Sequence, residues 1–413
     1  MAPSYKLETQ LVHGGESPEK STGASTPPVF QTASFVHGTA EDLENIFAGR
    51  KFGYMYTRTG NPTVAALEQK MTLLEGGLSS VATSSGMAAI TAAVMTIAGA
   101  GSEIIAGNSL YGGTYALFAG TLPRYGIRVR FVEATDPAEY RKAITDKTRL
   151  IYAEALGNPR LDVPDLKQIA DVAKEAQIPF VVDSTVTTPA LIRPREFGAD
   201  IVVHSTTKYL NGHGNSVGGV LVDCGTFDWQ NSPGFEEDVK RYGDFALMSR
   251  IREGVFRDFG LCLAPQNAFL TLAGIKTLNL RMAKHCHNAQ VLVDALKDHS
   301  AVVEIRYPGL PGSDEHRMAQ LQFGGKFGAI FTLRLGTKAK CFQFINSLAL
   351  ALNQANIGDT KTLVLHPAST ICHEFQPAEK KNMGVTEDLI RVCVGIEDEE
   401  DLVKDFSQAL DSC

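Results

Sequence analysis

The residues best suited to covalent chemistry lie in one short run, His204-Ser205-Thr206-Thr207-Lys208, at the end of the apolar stretch DIVVH. A lysine just beyond the carboxyl end of a buried strand sits where open α/β sheets bind their ligands. Its amine can condense with a carbonyl compound, and the Ser205 and Thr207 hydroxyls can hold a phosphate. Asp183 ends another apolar run, IPFVVD, 25 residues before Lys208. A carboxylate there needs a partner to offset its desolvation. A protonated pyridine nitrogen is one such partner, and capping the next helix is the alternative use. The interval equals about one strand-crossover-strand unit, so both residues can occupy neighbouring strand ends.

Four further groups could complete a site. Ser84-Ser85-Gly86-Met87 precedes an Ala-rich helical segment. Small residues there let helix N-terminal N–H groups approach an anion, although a plain serine cap has the same signature. Tyr56 and Arg58, in YTRTGNPT, are good phosphate ligands, and Arg58 lies in an N-terminal arm that can reach another subunit. The Tyr111 ring, in LYGGT, can stack on a planar cofactor or pack into the core. Arg391 stands between apolar neighbours in LIRVCVG. It can hold a carboxylate bidentately or serve a structural ion pair. No GxxxxGK[ST] occurs, and no GxGxxG follows the first strand, so nucleotide-binding loops of those kinds are unsupported. His285-Cys286-His287 falls within a helical stretch, where adjacent residues face different ways, so no metal site is expected.

These residues need a scaffold, and the hydrophobic pattern supplies one. Strand-like runs start at Ser79, Glu103, Arg128, Arg149, Pro179, Asp200 and Val217, with helical segments between them. Continuous apolar runs alternating with helices predict buried, largely parallel strands in one large α/β sheet. Residues 1–61 read as an irregular arm. Cys224 to Phe259 reads as an irregular insertion, followed by one long helix from Pro265 to Leu296. The runs AIFTLRL and IRVCVG predict strands of a second unit, closed by a helix whose N-terminal side carries the acidic run Glu397–Asp401.

Composition bounds the function. The chain has 413 residues, 44% of them hydrophobic, which disfavours disorder and suggests two domains. A net charge of -7 gives no reason to bind nucleic acid or anionic membrane. The apolar stretch Ala88–Ala100 is too short to span a bilayer, and MAPSYKLETQ lacks the apolar core of a signal peptide. Seven scattered cysteines with no CxxC read as reduced thiols in a cytoplasmic protein.

In their order along the chain, YTRTGNPT, SSGM, LYGGT, GNP at Gly157, VVDST, HSTTKYLNGHG, GDTKTLVLHPAS and IRVCVGIED resemble one family over residues 7 to 410. It is the Cys/Met-metabolism family of pyridoxal 5′-phosphate (PLP) enzymes, the cystathionine γ-synthase-like group of fold type I. NIGDTKTLVLHPAST, the insertion beginning GTFDW and the segment from RDFGLCLAPQ to RMAKH are most similar to its O-acetylhomoserine sulfhydrylase (homocysteine synthase) branch. The resemblance implies a seven-stranded, mostly parallel sheet sandwiched by helices, with a smaller α/β C-terminal domain. It implies an arm over 1–62 contacting a neighbouring subunit, a cofactor domain over 63–262 and a C-terminal domain over 263–413.

Roles follow by the same resemblance. Lys208 would carry the cofactor and move protons. Asp183 would keep the pyridine nitrogen protonated. Tyr111 would stack on the ring and assist proton transfer. Gly86, Met87, Ser205 and Thr207 would bind the phosphate, completed by Tyr56 and Arg58 of the neighbouring subunit. Asn158 would contact the phenolic oxygen, and Arg391 with Asn356 would clamp the substrate carboxylate, with Tyr56 beside it. The implied reaction replaces the acetoxy group of O-acetylhomoserine by sulfide in a homotetramer of two active dimers. Cystathionine γ-synthase or γ-lyase, O-succinylhomoserine sulfhydrylase and methionine γ-lyase activities remain alternatives, as does a non-catalytic PLP-binding regulator. A protein sulfur carrier is an open alternative to free sulfide. Gly113 stands where methionine γ-lyases carry a cysteine, and Ile371, Cys372 and Cys393 depart from the usual residues on the substrate side.

Overall fold

A computed structural model describes residues 5–413; residues 1–4, the start of the expected arm, lie outside it. Seven strands form the large sheet: β1 (Ser79–Thr83), β2 (Glu103–Gly107), β3 (Arg128–Val132), β4 (Thr148–Glu154), β5 (Phe180–Asp183), β6 (Ile201–His204) and β7 (Gly219–Asp223). Their spatial order is β1-β7-β6-β5-β4-β2-β3. The run from β3 through β2, β4 and β5 to β6 is parallel, and β7 is antiparallel to both its neighbours. Parallel pairing forces each connection to cross a face of the sheet, so both faces are covered. The strand residues divide accordingly. Ile105, Ile151, Val182 and Val202 join one apolar cluster. Ile104, Leu150, Val181 and Val203 join the other. This alternation explains why the strands read as unbroken apolar runs.

Register sets where the chemistry sits. Glu154 pairs with Asp183, and Asp183 with Val203, so the polar residues ending β4, β5 and β6 share one edge of the sheet. Asp183 and Lys208 thus occupy neighbouring strand ends, as their spacing predicts. A second sheet has the order β10-β11-β12-β9-β8. Its strands are β8 (Glu304–Arg306), β9 (Ile330–Arg334), β10 (Leu352–Asn353), β11 (Leu363–Leu365) and β12 (Leu389–Cys393), so Arg391 lies within β12. Phe331, Phe344, Ile390 and Phe406 form its core with the C-terminal helix Glu399–Asp411. That helix starts at Asp398, whose side chain accepts the Glu400 N–H.

Three sequence expectations change. The expected single helix from Pro265 to Leu296 is two helices, Pro265–Ile275 and Leu278–Leu296. A Cβ at Gly274 would lie 2.0 Å from the Asn211 carbonyl oxygen, so the first helix presses on the segment after Lys208. The Arg281 guanidinium turns back across the break and donates to the Gly274 carbonyl (2.7 Å), which the break frees, and to the Tyr209 carbonyl (2.8 Å) of the segment after Lys208. The stretch after Cys224 is helical over Glu236–Tyr242, Ala246–Glu253 and Val255–Asp258. The arm contains the helices Leu7–His13 and Ala40–Phe47, the second capped by the Thr39 side chain. Among the described residues, no helix is long and apolar enough to cross a membrane.

One buried contact ties the helix Pro62–Glu75 to the strand that precedes Lys208. His204 Nε2 lies 2.6 Å from Glu75 Oε1, with both side chains fully buried. Removing one partner leaves the other buried without it. Glu75→Ala is expected to lower unfolding free energy by about 2 kcal/mol, and Glu75→Gln by less. Urea unfolding checks this; an unchanged midpoint in Glu75→Ala would contradict it.

Candidate active site

The loops leaving the carboxyl ends of the strands meet residues of the second sheet around a cavity of about 250 Å³. Lys208 enters it from the tight turn after β6. Burial, with the Arg391 charge nearby, lowers its pKa to about 8. Nζ donates to Asn356 Oδ1 at 2.5 Å. A lysine so placed keeps a substantial neutral fraction near neutral pH, which a nucleophile or proton acceptor requires.

Asp183 ends β5 at the cavity wall. Burial raises its pKa, and hydrogen bonds from Thr185 oppose that rise. Oδ1 accepts the Thr185 N–H at 2.9 Å, and Oδ2 accepts the Tyr152 hydroxyl proton at 3.1 Å. The Tyr152 phenol is pushed well above its ordinary range by burial, so it keeps its proton and donates it to Asp183. A cationic partner in the cavity would offset the remaining cost of the Asp183 charge.

The anion cradle lies beside Lys208. The helix Gly86–Ile97 starts at Ser85, whose side chain accepts the Ala88 N–H. Ser85 is therefore the cap, and the Gly86 and Met87 N–H groups open the helix, where no intrahelical acceptor exists for them. A Cβ on Gly86 would lie 2.6 Å from Ser205 Cβ, so only glycine brings this helix start against Ser205. The Thr207 hydroxyl is oriented by Gly218, accepting its N–H at 3.1 Å and donating to its carbonyl at 3.2 Å. Two hydroxyl residues and the positive end of a helix suit a phosphate. With an amine for a carbonyl and a buried carboxylate for a pyridine nitrogen, these residues fit pyridoxal 5′-phosphate.

Arg391 is 4% exposed, and burial lowers its pKa. Its hydrogen-bond partners are neutral: Asn158 Oδ1 at 3.0 Å and the Asn356 carbonyl at 3.1 Å. The guanidinium is thus oriented but not neutralised, as a carboxylate receptor should be. The Tyr111 ring is 43% exposed and lines the cavity, so it is not core packing. Its N–H donates to Glu154 Oε1 at 2.6 Å.

Ten of the residues singled out in the sequence therefore meet around one cavity: Lys208, Asp183, Tyr111, Gly86, Met87, Asn158, Ser205, Thr207, Asn356 and Arg391. Tyr56 and Arg58 do not line it within their own chain. Tyr56 is exposed, and Arg58 donates to the Arg257 carbonyl at 2.8 Å. The sequence reading missed Thr185, Tyr152 and Glu154. Glu154 carries the signal that singled out Asp183, an acid ending an apolar strand, here in RLIYAE.

Two measurements test this geometry. In cofactor-free protein, the reactivity of Lys208 toward an amine reagent should rise with pH through a midpoint near 8 and level off above it. A midpoint near the ordinary lysine value would contradict the depressed pKa. Tyr152→Phe removes a donor from Asp183 and should weaken PLP binding about fivefold, a loss of ~1 kcal/mol. A cofactor titration matching the parent would show that the Tyr152 hydroxyl does not support Asp183.

Comparison with known proteins agrees with the site. The family model described as Cys/Met metabolism PLP-dependent enzyme matches residues 8–411. The chain is 40% identical to an O-acetyl-L-homoserine sulfhydrylase of Leptospira meyeri, over 99% of this chain and 98% of that protein. It is 39% identical to a homocysteine synthase of Schizosaccharomyces pombe, over 99% of each. Among solved structures, an O-acetylhomoserine (thiol)-lyase from Campylobacter jejuni superposes with a TM-score of 0.94 at 30% identity, covering 99% of this chain and 100% of that one. That structure contains N′-pyridoxyl-lysine-5′-monophosphate.

Proposed function

Because the chain belongs to the Cys/Met metabolism family of PLP-dependent enzymes, we propose that it replaces the γ-acetoxy group of O-acetyl-L-homoserine by sulfide. The products are L-homocysteine and acetate. The observation that carries this reading is one cavity holding an amine with a pKa of about 8, a buried carboxyl and an oriented guanidinium. PLP supplies the electron sink that lets a proton leave the Cα of an amino acid.

The chain's own residues do the rest. Lys208 would hold the cofactor at rest; once freed, its Nζ would take the Cα proton, give it up again to the bound cofactor and substrate, and, neutral once more, take a Cβ proton, which permits acetate to leave from Cγ. The same amine returns the protons after sulfide has added. Asp183 favours the protonated pyridine by its charge. Gly86, Met87, Ser205 and Thr207 hold the phosphate, with Tyr56 and Arg58 reaching in from a neighbouring subunit. Tyr111 stacks on the ring, and Asn158 contacts its phenolic oxygen. Arg391 and Asn356 take the substrate α-carboxylate, with Tyr56 at the substrate's edge. The arm over 1–62 joins subunits of a cytoplasmic homotetramer, the cofactor domain spans 63–262, and 263–413 carries the substrate arginine.

The ester specificity has a physical basis. Lys208 and Arg391 are the cations of the cavity wall, and both are engaged. Ile90, Val186, Val217, Ala355, Ile357 and Ile371 supply much of the remaining wall. A succinyl ester would bring a second carboxylate against this apolar surface with no cation to meet it. The acetyl ester is therefore expected to exceed the succinyl ester in kcat/KM with sulfide by about tenfold or more, a difference of at least ~1.4 kcal/mol. Homocysteine release from the two esters measures this, and equal values would contradict the assignment.

Two substitutions separate the roles. Lys208→Ala should abolish turnover and the visible absorbance of bound cofactor; full activity in that variant would sink the reading. Arg391→Ala should raise KM and lower kcat/KM about thirtyfold, ~2 kcal/mol for a charged hydrogen-bond pair, with the cofactor still bound. Loss of cofactor with unchanged substrate affinity would contradict the clamp.

A further inference from the structure

Glu154 lines the cavity but has no part in the chemistry described above. It ends β4 in register with Asp183, so two carboxyl groups stand side by side on neighbouring strand ends. Its side chain is buried, and a buried carboxyl is costly unless it is hydrogen-bonded. Glu154 Oε1 accepts the Tyr111 N–H at 2.6 Å, and the Asn158 N–H lies near enough to the carboxyl group to oppose the rise of its pKa. These N–H groups belong to different loops, one leaving β2 and one leaving β4. Tyr111 stands just before the helix Gly112–Ala116, where the helix offers its N–H no acceptor. Tyr111 carries the ring facing the cavity, and the Asn158 carboxamide orients Arg391. A single side chain therefore stands behind both the ring and the substrate arginine.

We propose that Glu154 is a positioning residue that fixes the Tyr111 ring and the Asn158–Arg391 pair relative to Lys208. The inference rests on the reading of the cavity as a site for PLP and an amino acid. Burial and the neighbouring Asp183 raise the Glu154 pKa well above the ordinary carboxyl range. This shift favours the protonated form of Glu154 and leaves the charge that the cofactor nitrogen needs to Asp183. The contribution of Glu154 is the placement of an acceptor oxygen. Glutamine, neutral and of equal length, preserves that oxygen, whereas alanine removes it.

The test compares the parent, Glu154→Gln and Glu154→Ala in two measurements. Titration of cofactor-free protein with PLP reads the Tyr111 side. KM against kcat for O-acetyl-L-homoserine with sulfide reads the Asn158–Arg391 side. Glu154→Gln should stay within about threefold of the parent in both. Glu154→Ala should raise the PLP Kd about tenfold and the KM about tenfold. Parent-like Kd and KM in Glu154→Ala would overturn the proposal. So would a Glu154→Gln variant as impaired as Glu154→Ala, since the charge would then be what matters. If Glu154→Ala does not fold, Glu154→Asp replaces it. That variant keeps the acid but withdraws it by one methylene, so raised Kd and KM support the proposal and parent-like values overturn it. A parent chain that itself binds no PLP would overturn the reading of the cavity instead, and the same titration reveals it.

Discussion

A lysine ammonium and an arginine guanidinium share a small cavity, and each is disfavoured by burial. Much of the surrounding architecture can be understood as managing that arrangement. Asn356 serves both cations, accepting from Lys208 through its side chain and from Arg391 through its carbonyl. The second carboxyl, Glu154, stands beside Asp183, and burial together with that neighbouring charge pushes its pKa well above the ordinary carboxyl range, which favours placing the negative charge on Asp183. The guanidinium is oriented by neutral groups alone, so its charge is not paired by these partners. The amine, pushed down to about 8, can act as a base.

The fold produces this arrangement through strand direction. Five parallel strands bring their carboxyl ends to one edge, where Glu154 and Asp183 end β4 and β5 and the loops beyond supply Tyr111 and Lys208. The antiparallel β7 returns beside β6, and Gly218, just before it, holds the Thr207 hydroxyl. The second sheet adds what the first lacks, since Arg391 comes from β12 and Asn356 from the loop between β10 and β11. The break between the helices Pro265–Ile275 and Leu278–Leu296 belongs to the same design, because Arg281 spans it and binds the Tyr209 carbonyl next to Lys208. Removal of one group can therefore disturb others that never touch it.

Much of this was legible in the sequence where one residue breaks a strong local pattern. An acid or base ending an apolar run identified Asp183 and Lys208, and a cation inside an apolar strand identified Arg391. The strands were clear because both faces of a parallel sheet are covered. Other features depended on distant contacts. The break at Lys276–Thr277 has no proline, and its one local signal, Gly274, lies where the helix meets Asn211 across the molecule. The short helices of the arm and after Cys224 lie in glycine- and proline-containing stretches that hide their periodicity. Glu154 was hidden differently: its signal equals that of Asp183, yet its hydrogen-bond partner is the backbone N–H of Tyr111, which only the sheet order brings beside it.

The central claim is that the cavity holds Lys208 against its own preference for water, in readiness for chemistry. Urea unfolding of the cofactor-free protein at neutral pH, comparing the parent with Lys208→Met, tests this most directly. Replacing a buried, penalised ammonium by an apolar side chain of similar length should raise the unfolding free energy by roughly 1–3 kcal/mol. A less stable Lys208→Met variant would show that the amine contributes to folding, and would contradict the account.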